Sequence, residues 1–332
     1  MNPVFLFSGQ GSQKPGMGAD LMGVPEMASS FECASDVLGY DLADLVATAS
    51  PEKLNDTRYA QPALCVLSVG IARALMARGV VPAAVLGFSL GQVSALAVSG
   101  MAELAETAQF VCRRALVIDS IKERGVMLHA EAPLDFAEEL ASRHAAELSV
   151  AAVNGARSVV LSGTAEAARR AERALDAAKI PHRRLRVPYA AHSPLASQIA
   201  EKIAALPFPA LNEPSCPVFS SIDGNALTAA EVSRPPRRAE QCLRPARFDK
   251  ALASARSFAQ GAQITAVEFG VHRTLAGAGL AALPQSRWLG ASSMKNYVAD
   301  KSREYCFKRG IMETAAALWE EGFAGGVEWT DI

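Results

Sequence analysis

The sequence has no excess of charge. Its 33 Lys and Arg are met by 34 Asp and Glu, for a net charge of −1. No basic stripe or acidic tail breaks that balance, which argues against nucleic acid or an anionic membrane as a partner. Cysteine is sparse and unpaired in pattern: Cys33, Cys65, Cys112, Cys216, Cys242 and Cys306 include no C-x-x-C. That argues against a metal site and against a disulfide scaffold. No apolar run is read as reaching the ~20 residues a membrane span needs. The start, Met1 to Phe7, is too short and uncharged for a secretory signal. Repeats and low-complexity linkers are absent as well. A reducing cytoplasm is the compartment these absences fit.

What the chain has is apolar bulk and punctuating glycine. Half of its 332 residues are hydrophobic, enough to bury a large core in one or two domains. The most informative stretch runs from Ala83 to Gly100. An apolar strand ends in Gly87-Phe88-Ser89-Leu90-Gly91, and a helical pattern follows. G-x-S-x-G between a strand and a helix is the context of a nucleophile elbow. The turn would expose the Ser89 hydroxyl at a helix N-terminus, where free N–H groups favour developing negative charge.

A second glycine-rich loop, Ser8 to Gln13, follows the buried strand Val4 to Phe7. It matches neither phosphate-loop pattern, so a loop presenting backbone N–H groups to an oxyanion is the better reading. Gln61-Pro62 is expected to open a helix running to Arg78, because proline suits a first turn. Leu104 to Lys122 reads as a helix carrying Arg113 and Arg114. Val126 to Val187 changes character. Strand Val126–Ala130, helix Pro133–Arg143, strands Leu148–Val153 and Ser158–Ser162, helix Ala165–Ala178 and strand His182–Val187 make a βαββαβ order. That order is ferredoxin-like. The expected organisation is an α/β hydrolase-like catalytic domain with a parallel sheet, residues 1–125 and 189–332, and a ferredoxin-like inserted domain, residues 126–188.

Of five histidines, only His192 and His272 fall at junctions where a cleft could form, and Ser89 needs a base. His192 should open a helix over Ser193 to Leu206. Pro217 to Ile222 reads as a buried strand, Leu227 to Arg247 as polar and turn-rich, Phe248 to Gln260 as a helix, and Arg303 to Gly322 as the last long helix. Glu268, at a strand end, is read as a helper of loop structure rather than a catalytic acid.

These residues together resemble the family of malonyl-CoA:acyl-carrier-protein transacylases and polyketide synthase acyltransferase domains. Phe7-Ser8-Gly9-Gln10-Gly11-Ser12-Gln13 is similar to the family's F-P-G-Q-G-S-Q. Tyr59-Ala60-Gln61-Pro62-Ala63-Leu64 is similar to its T-Q-P-A-L, Gly87 to Gly91 to its G-H-S-x-G, and Ala191-His192-Ser193-Pro194 to the segment around its histidine. The tail, Leu318 to Gly322 and Val327 to Trp329, resembles the end of polyketide synthase domains. The resemblance implies a Ser89–His192 dyad, its histidine steadied by a backbone carbonyl near Arg247 rather than by an acid. It implies an oxyanion hole from the Gln10 and Leu90 amides, with Gln61 lining the pocket and Arg114 gripping a malonyl-type carboxylate. The acyl donor would be a CoA thioester, the acceptor the phosphopantetheine thiol of an acyl carrier protein, with no cofactor or metal. Three positions depart from the usual pattern: Phe88 for histidine, Gln92 for glutamate and Ser8 for proline. Tyr189-Ala190-Ala191-His192 is closer to the methylmalonyl-type Tyr-Ala-Ser-His than to the malonyl-type His-Ala-Phe-His, and Ala191 leaves room a phenylalanine would fill. Leu90 suits malonyl readers, so the two signals oppose each other. The pathway is expected to be polyketide or related specialised biosynthesis. The alternative is a proofreading acyl-carrier-protein thioesterase of the same fold, whose members typically lack the arginine. Carrier docking is expected on Arg234, Arg237, Arg238, Arg244 and Arg247, or on Arg183, Arg184 and Arg186.

Overall fold

The computed structural model describes residues 2–121, 123–187, 189–291 and 307–323. Two five-stranded sheets organise them. The first contains β1 (Val4–Phe7), β2 (Ala84–Gly87), β7 (Val218–Phe219), β9 (Thr265–Phe269) and β10 (Arg287–Gly290). Its order is β10-β9-β1-β2-β7 and every pairing is parallel. The strands alternate faces, as a period of two requires. Phe5, Phe7, Val85, Val267 and Phe269 enter one core cluster, while Val4, Leu6, Ala84, Leu86 and Ala266 enter another. Burial on both faces is why these strands read as continuous apolar runs.

The second sheet contains β3 (Val126–Ala130), β4 (Leu148–Gly155), β5 (Ser158–Gly163), β6 (His182–Arg184) and β8 (Ala246–Arg247). Its order is β6-β3-β5-β4-β8, antiparallel except where β8 joins β4 in parallel. Helices Leu134–Ser142 and Ala165–Ala177 supply the apolar residues that cover it. β8 lies between β7 and β9 in the chain, so the second sheet is completed by a segment that interrupts the first.

Several elements differ from expectation. The helix expected from Gln61 begins at Thr57 and runs to Ala77, because the Asp56 side chain caps it by accepting from the Arg58 N–H. Pro62 therefore lies inside it, at a cost of the one bond to the Arg58 carbonyl. This helix is long and apolar enough to cross a membrane by length and composition, with mean hydropathy 1.5. Yet 83% of that span is buried among neighbouring elements, the signature of a core helix. Leu227 to Arg247 is not simply turn-rich. Thr228 and Glu231 form a capping box for helix Ala229–Ser233, and Pro235 opens helix Pro235–Leu243. The helix expected after His192 starts as a 3₁₀ turn, Pro194–Ala196, and continues as Ser197–Ala204. The strand from Pro217 is shortened to Val218–Phe219, and β6 stops at Arg184. The last helix among the described residues is Phe307–Glu320. Lys122, Arg303 to Cys306 and Val327 to Trp329 lie outside the described residues.

Candidate active site

β2 ends at Gly87, and Ser89 sits on the turn before helix Gly91–Val98. Its φ is 52°, in the left-handed region that a side chain normally avoids. The glycines on either side permit the turn. A Cβ on Gly87 would lie 2.1 Å from the Gln92 nitrogen, and one on Gly91 would lie 2.0 Å from the Phe7 carbonyl oxygen. Three amides are consumed in holding the elbow: Phe88 donates to Phe7, Gly91 to Phe88 and Gln92 to Ser89. Two side chains brace it from behind. Gln92 Oε1 accepts from the Ser221 amide and hydroxyl, both at 2.8 Å, and Gln241 Nε2 donates to the Ser89 carbonyl at 3.3 Å. Sequence reading missed Gln241, which lies in the stretch taken as turns. Phe88 packs edge-on against Phe248, ring centroids 6.1 Å apart.

His192 meets this elbow from the chain that leaves the second sheet. Its Nε2 lies 2.9 Å from Ser89 Oγ, and its Nδ1 lies 2.8 Å from the Arg244 carbonyl oxygen. A carbonyl only accepts, so Nδ1 carries the proton and the Nε2 lone pair faces the serine hydroxyl. The steadying carbonyl is that of Arg244, three residues before Arg247. Helix Pro235–Leu243 ends there in an extended residue, which frees that carbonyl to point outward. The imidazole is buried, and burial pushes it down from 6.5 to about 4, partly opposed by the bond to Arg244 and reinforced by the Arg114 cation. The imidazole is therefore neutral at pH 7. Ser149 of β4 donates to the His192 carbonyl at 2.7 Å, tying the second sheet to the dyad.

Arg114, on helix Leu104–Asp119, is 3% exposed, and no carboxylate reaches its guanidinium among the described residues. Its Nη1 donates instead to the neutral Gln61 Oε1, while its buried Nε meets no partner. Gln61 is fully buried and passes on to Thr57, Gln10 and Tyr189. An uncompensated buried cation is costly, on the order of several kcal/mol, and such a group marks a place where an anion is expected.

The acyl transferase domain family matches residues 4–305. The chain belongs to that family. Among its relatives is polyketide synthase GfsB of Streptomyces halstedii, 36% identical over 265 residues, 77% of this chain but 5% of the relative's length. The chain therefore spans a small fraction of the curated relatives it matches. Among solved structures, the acyltransferase domain of the second module of the salinomycin polyketide synthase superposes with TM-score 0.86 at 30% identity, over 99% of this chain and 75% of that one. The malonyl transacylase of Streptococcus pneumoniae superposes with TM-score 0.80 at 26% identity, over 96% of this chain and all (100%) of that one. A malonyl transacylase in complex with a type II acyl carrier protein gives TM-score 0.83 at 27% identity, over 96% of this chain and 100% of that one.

In this member of the family one cavity touches His192 and a larger cleft lies on the side of Gln10 and Phe88. A narrow cavity beside His192 joins Arg114, Tyr189 and Ala191 to an apolar wall of Ile118, Ile121 and Ile199, with the buried Cys242 closing it. A cleft of about 1010 Å³ opens past Gly9, Gln10 and Phe88. Lys14, Arg183, Arg184, Arg186, His129 and His272 all line it, and no carboxylate does. Most of the other arginine group is spent internally: Arg237 pairs with Asp223 and Glu240, Arg244 with Glu240, Arg247 with Asp249, and Arg238 donates to the Ser233 and Ala204 carbonyls, while Arg234 is exposed and enters no ion pair among the described residues. Arg184 is also taken, by Glu172, whereas Arg183 and Arg186 are exposed and enter no ion pair among the described residues. Glu268 accepts from the Thr274, Leu275 and Ala276 amides and so holds a loop and helix start. His272 is driven down to about 4 by burial and by Lys14. Among the described residues no cluster of three metal-ligating side chains occurs.

Proposed function

We propose that the chain transfers a malonyl-type acyl group from CoA to the phosphopantetheine thiol of an acyl carrier protein through an acyl-Ser89 intermediate. The observation that carries this reading is a serine–histidine pair beside a buried guanidinium with no acid of its own. In the first step Ser89 Oγ attacks the thioester carbonyl and its proton passes to His192 Nε2. The Arg244 carbonyl holds the Nδ1–H throughout. The Gln10 and Leu90 amides receive the oxyanion, each worth about 3 kcal/mol in comparable enzymes. The C–S bond then breaks and the CoA sulfur takes the proton. In the second step the carrier thiol gives its proton to His192, attacks the ester, and Ser89 recovers its hydroxyl.

Arg114 would hold the distal carboxylate in a two-pronged grip, which a planar guanidinium suits. It would also tune the base. The Arg114 cation disfavours imidazolium, and a bound carboxylate cancels that opposition. The cavity bordered by Ala191 and the isoleucines holds only about 10 Å³ in this conformation, so the preference for an α-substituted malonyl rests on Ala191 taking up less room than a phenylalanine would. The cationic cleft suits a phosphate-bearing thiol arm, with Arg183 and Arg186 the docking residues in place of the internally paired group. On this reading residues 126–188 form a ferredoxin-like inserted domain on a hydrolase-like core of residues 1–125 and 189–332, serving a specialised polyketide-type pathway. The thioesterase alternative gives Arg114 no task. Steady-state transfer to a carrier protein against release of free acid tests the choice: transfer supports the proposal, and hydrolysis without transfer contradicts it. Charge reversal at Arg183 and Arg186 should raise KM for the carrier and spare self-acylation.

A further inference from the structure

The loop that carries the Gln10 amide has little stiffness of its own. Gln10 stands between Gly9 and Gly11, and Gly11 has φ 122°, a conformation that favours glycine. Gly9 lies against the nucleophile turn: a Cβ there would meet the Phe88 carbonyl oxygen at 3.1 Å and the Ser89 Cβ at 3.9 Å. The Gln10 amide follows directly on that contact, and it donates to no group among the described residues. An oxyanion donor is effective only within about 3 Å of the place where the charge develops. A misplacement of about 1 Å can cost on the order of 100-fold in rate. Something outside the loop must therefore fix it.

Two glutamine side chains do so, and both are anchored on one short segment. Gln13 is buried; its Oε1 accepts from the Gly11 amide at 2.9 Å and its Nε2 donates to Asn55 Oδ1 at 2.9 Å. Asn55 ends the helix Pro51–Asn55, next to the fully buried Leu54. Two residues on, Thr57 opens the long core helix and is 1% exposed. Arginine only donates, so Gln61 turns its oxygen to Arg114 and its Nε2 away. That nitrogen donates to Thr57 Oγ1 at 2.9 Å. Thr57 in turn donates its hydroxyl proton to Gln10 Oε1 at 3.2 Å. Gln61 Nε2 at 3.2 Å and the Tyr189 hydroxyl at 3.5 Å converge on the same oxygen. The segment from Asn55 to Thr57 thus grips the glycine-rich loop on both sides of Gly11, through Gln13 and through Gln10.

We infer that Asn55 and Thr57 are positioning residues for the oxyanion hole, fixing the loop so that the Gln10 backbone N–H faces the carbonyl under attack by Ser89. This rests on the transferase reading, and it gives both residues a part in the acylation rate without contact to the reacting atoms.

Thr57→Val keeps the shape and removes the hydroxyl, Thr57→Ser keeps the hydroxyl, and Asn55→Ala removes the other anchor. Asn55 does not touch Gln61, so its variant tests the loop apart from Arg114. Single-turnover acylation of Ser89 by malonyl-CoA, followed by intact mass over a range of donor concentrations, separates the limiting rate constant from the half-saturating concentration. The limiting rate constant should fall at least about tenfold in Thr57→Val and at least about threefold in Asn55→Ala, while half-saturation moves less than about twofold in either. Thr57→Ser should return the rate to within about threefold of the wild type. A misfolded fraction lowers only the amplitude, so the rate constant reports on folded molecules. An unchanged limiting rate in both variants, or a loss seen only as a higher half-saturating concentration, overturns this inference while the wild type still carries malonyl on Ser89. A wild-type protein that takes no malonyl on Ser89 overturns the transferase reading, and this inference with it.

Discussion

Ser89 and His192 adopt the same uncommon backbone state, φ 52° and φ 54°, and their side chains meet at 2.9 Å. Each residue stands where one sheet hands the chain to a helix, so the dyad is assembled by two strained turns facing each other. Strain of this kind costs about 1–3 kcal/mol per residue and persists only where surrounding structure holds it. Ser89→Gly should relieve it at one side. Thermal or urea unfolding should show the variant as stable as wild type or up to about 1 kcal/mol more stable, with acylation abolished. A loss of more than about 1 kcal/mol would show that the turn is not strained.

The pH dependence follows from His192, held down at about 4 against 6.5 in the unfolded chain. Its neutral form is the base, so acylation should rise with pH through a limb near 4 to 5 and then stay flat to pH 7. Stability follows the same group. Between 6.5 and 4 the unfolded chain binds the proton and the folded one does not, so this contribution is complete above 6.5 and lost as pH falls toward 4. It amounts to about 3 kcal/mol at most. With malonyl-CoA saturating, the limb should move upward relative to acetyl-CoA, because the carboxylate neutralises Arg114. Identical limbs for the two donors would contradict that coupling.

On the proposed function, Arg114 is a functional cation kept at a cost to the fold. Arg114→Met removes a buried charge without an acid partner and fills similar space. Its melting temperature should equal or exceed that of the wild type. Malonyl acylation should fall at least about 100-fold while acetyl becomes the preferred group. A strongly destabilised variant would mean that the Gln61 contact alone satisfies the guanidinium.

Ala191 sets the room beside His192. Ala191→Phe should suppress methylmalonyl acylation at least about tenfold relative to malonyl, since the added ring competes with the substituent for the cavity lined by Ile118, Ile121 and Ile199. Equal effects on both donors, read by competition in a mixture, would place the substituent elsewhere.

Much of this arrangement was legible in the chain because its causes are local. Gly87 and Gly91 flank Ser89 for reasons any side chain would violate at about 2 Å, and the buried strands Val4–Phe7 and Ala84–Gly87 declare themselves by unbroken apolarity. The unread parts depend on backbone or on distant pairing. The carbonyl that steadies His192 carries no side-chain signature, so Arg244 could be approached only to within three residues. Gln241 acts on the Ser89 carbonyl from a helix that its polar composition concealed. The start of the long core helix was misplaced because Pro62 outweighed the Asp56 cap. The arginines near 240 read as a candidate docking patch because their carboxylate partners carry no signal in sequence: Glu240 stands among them, while Asp223 and Asp249 lie just outside the polar stretch.

The most direct test of the central claim is the intact mass of the protein after brief exposure to malonyl-CoA and methylmalonyl-CoA, with Ser89→Ala alongside. The account predicts a single malonyl-type adduct on the wild type, absent from Ser89→Ala, and discharged when a phosphopantetheinylated carrier protein is added. An adduct that survives in Ser89→Ala, or no adduct together with release of free acid, would contradict it.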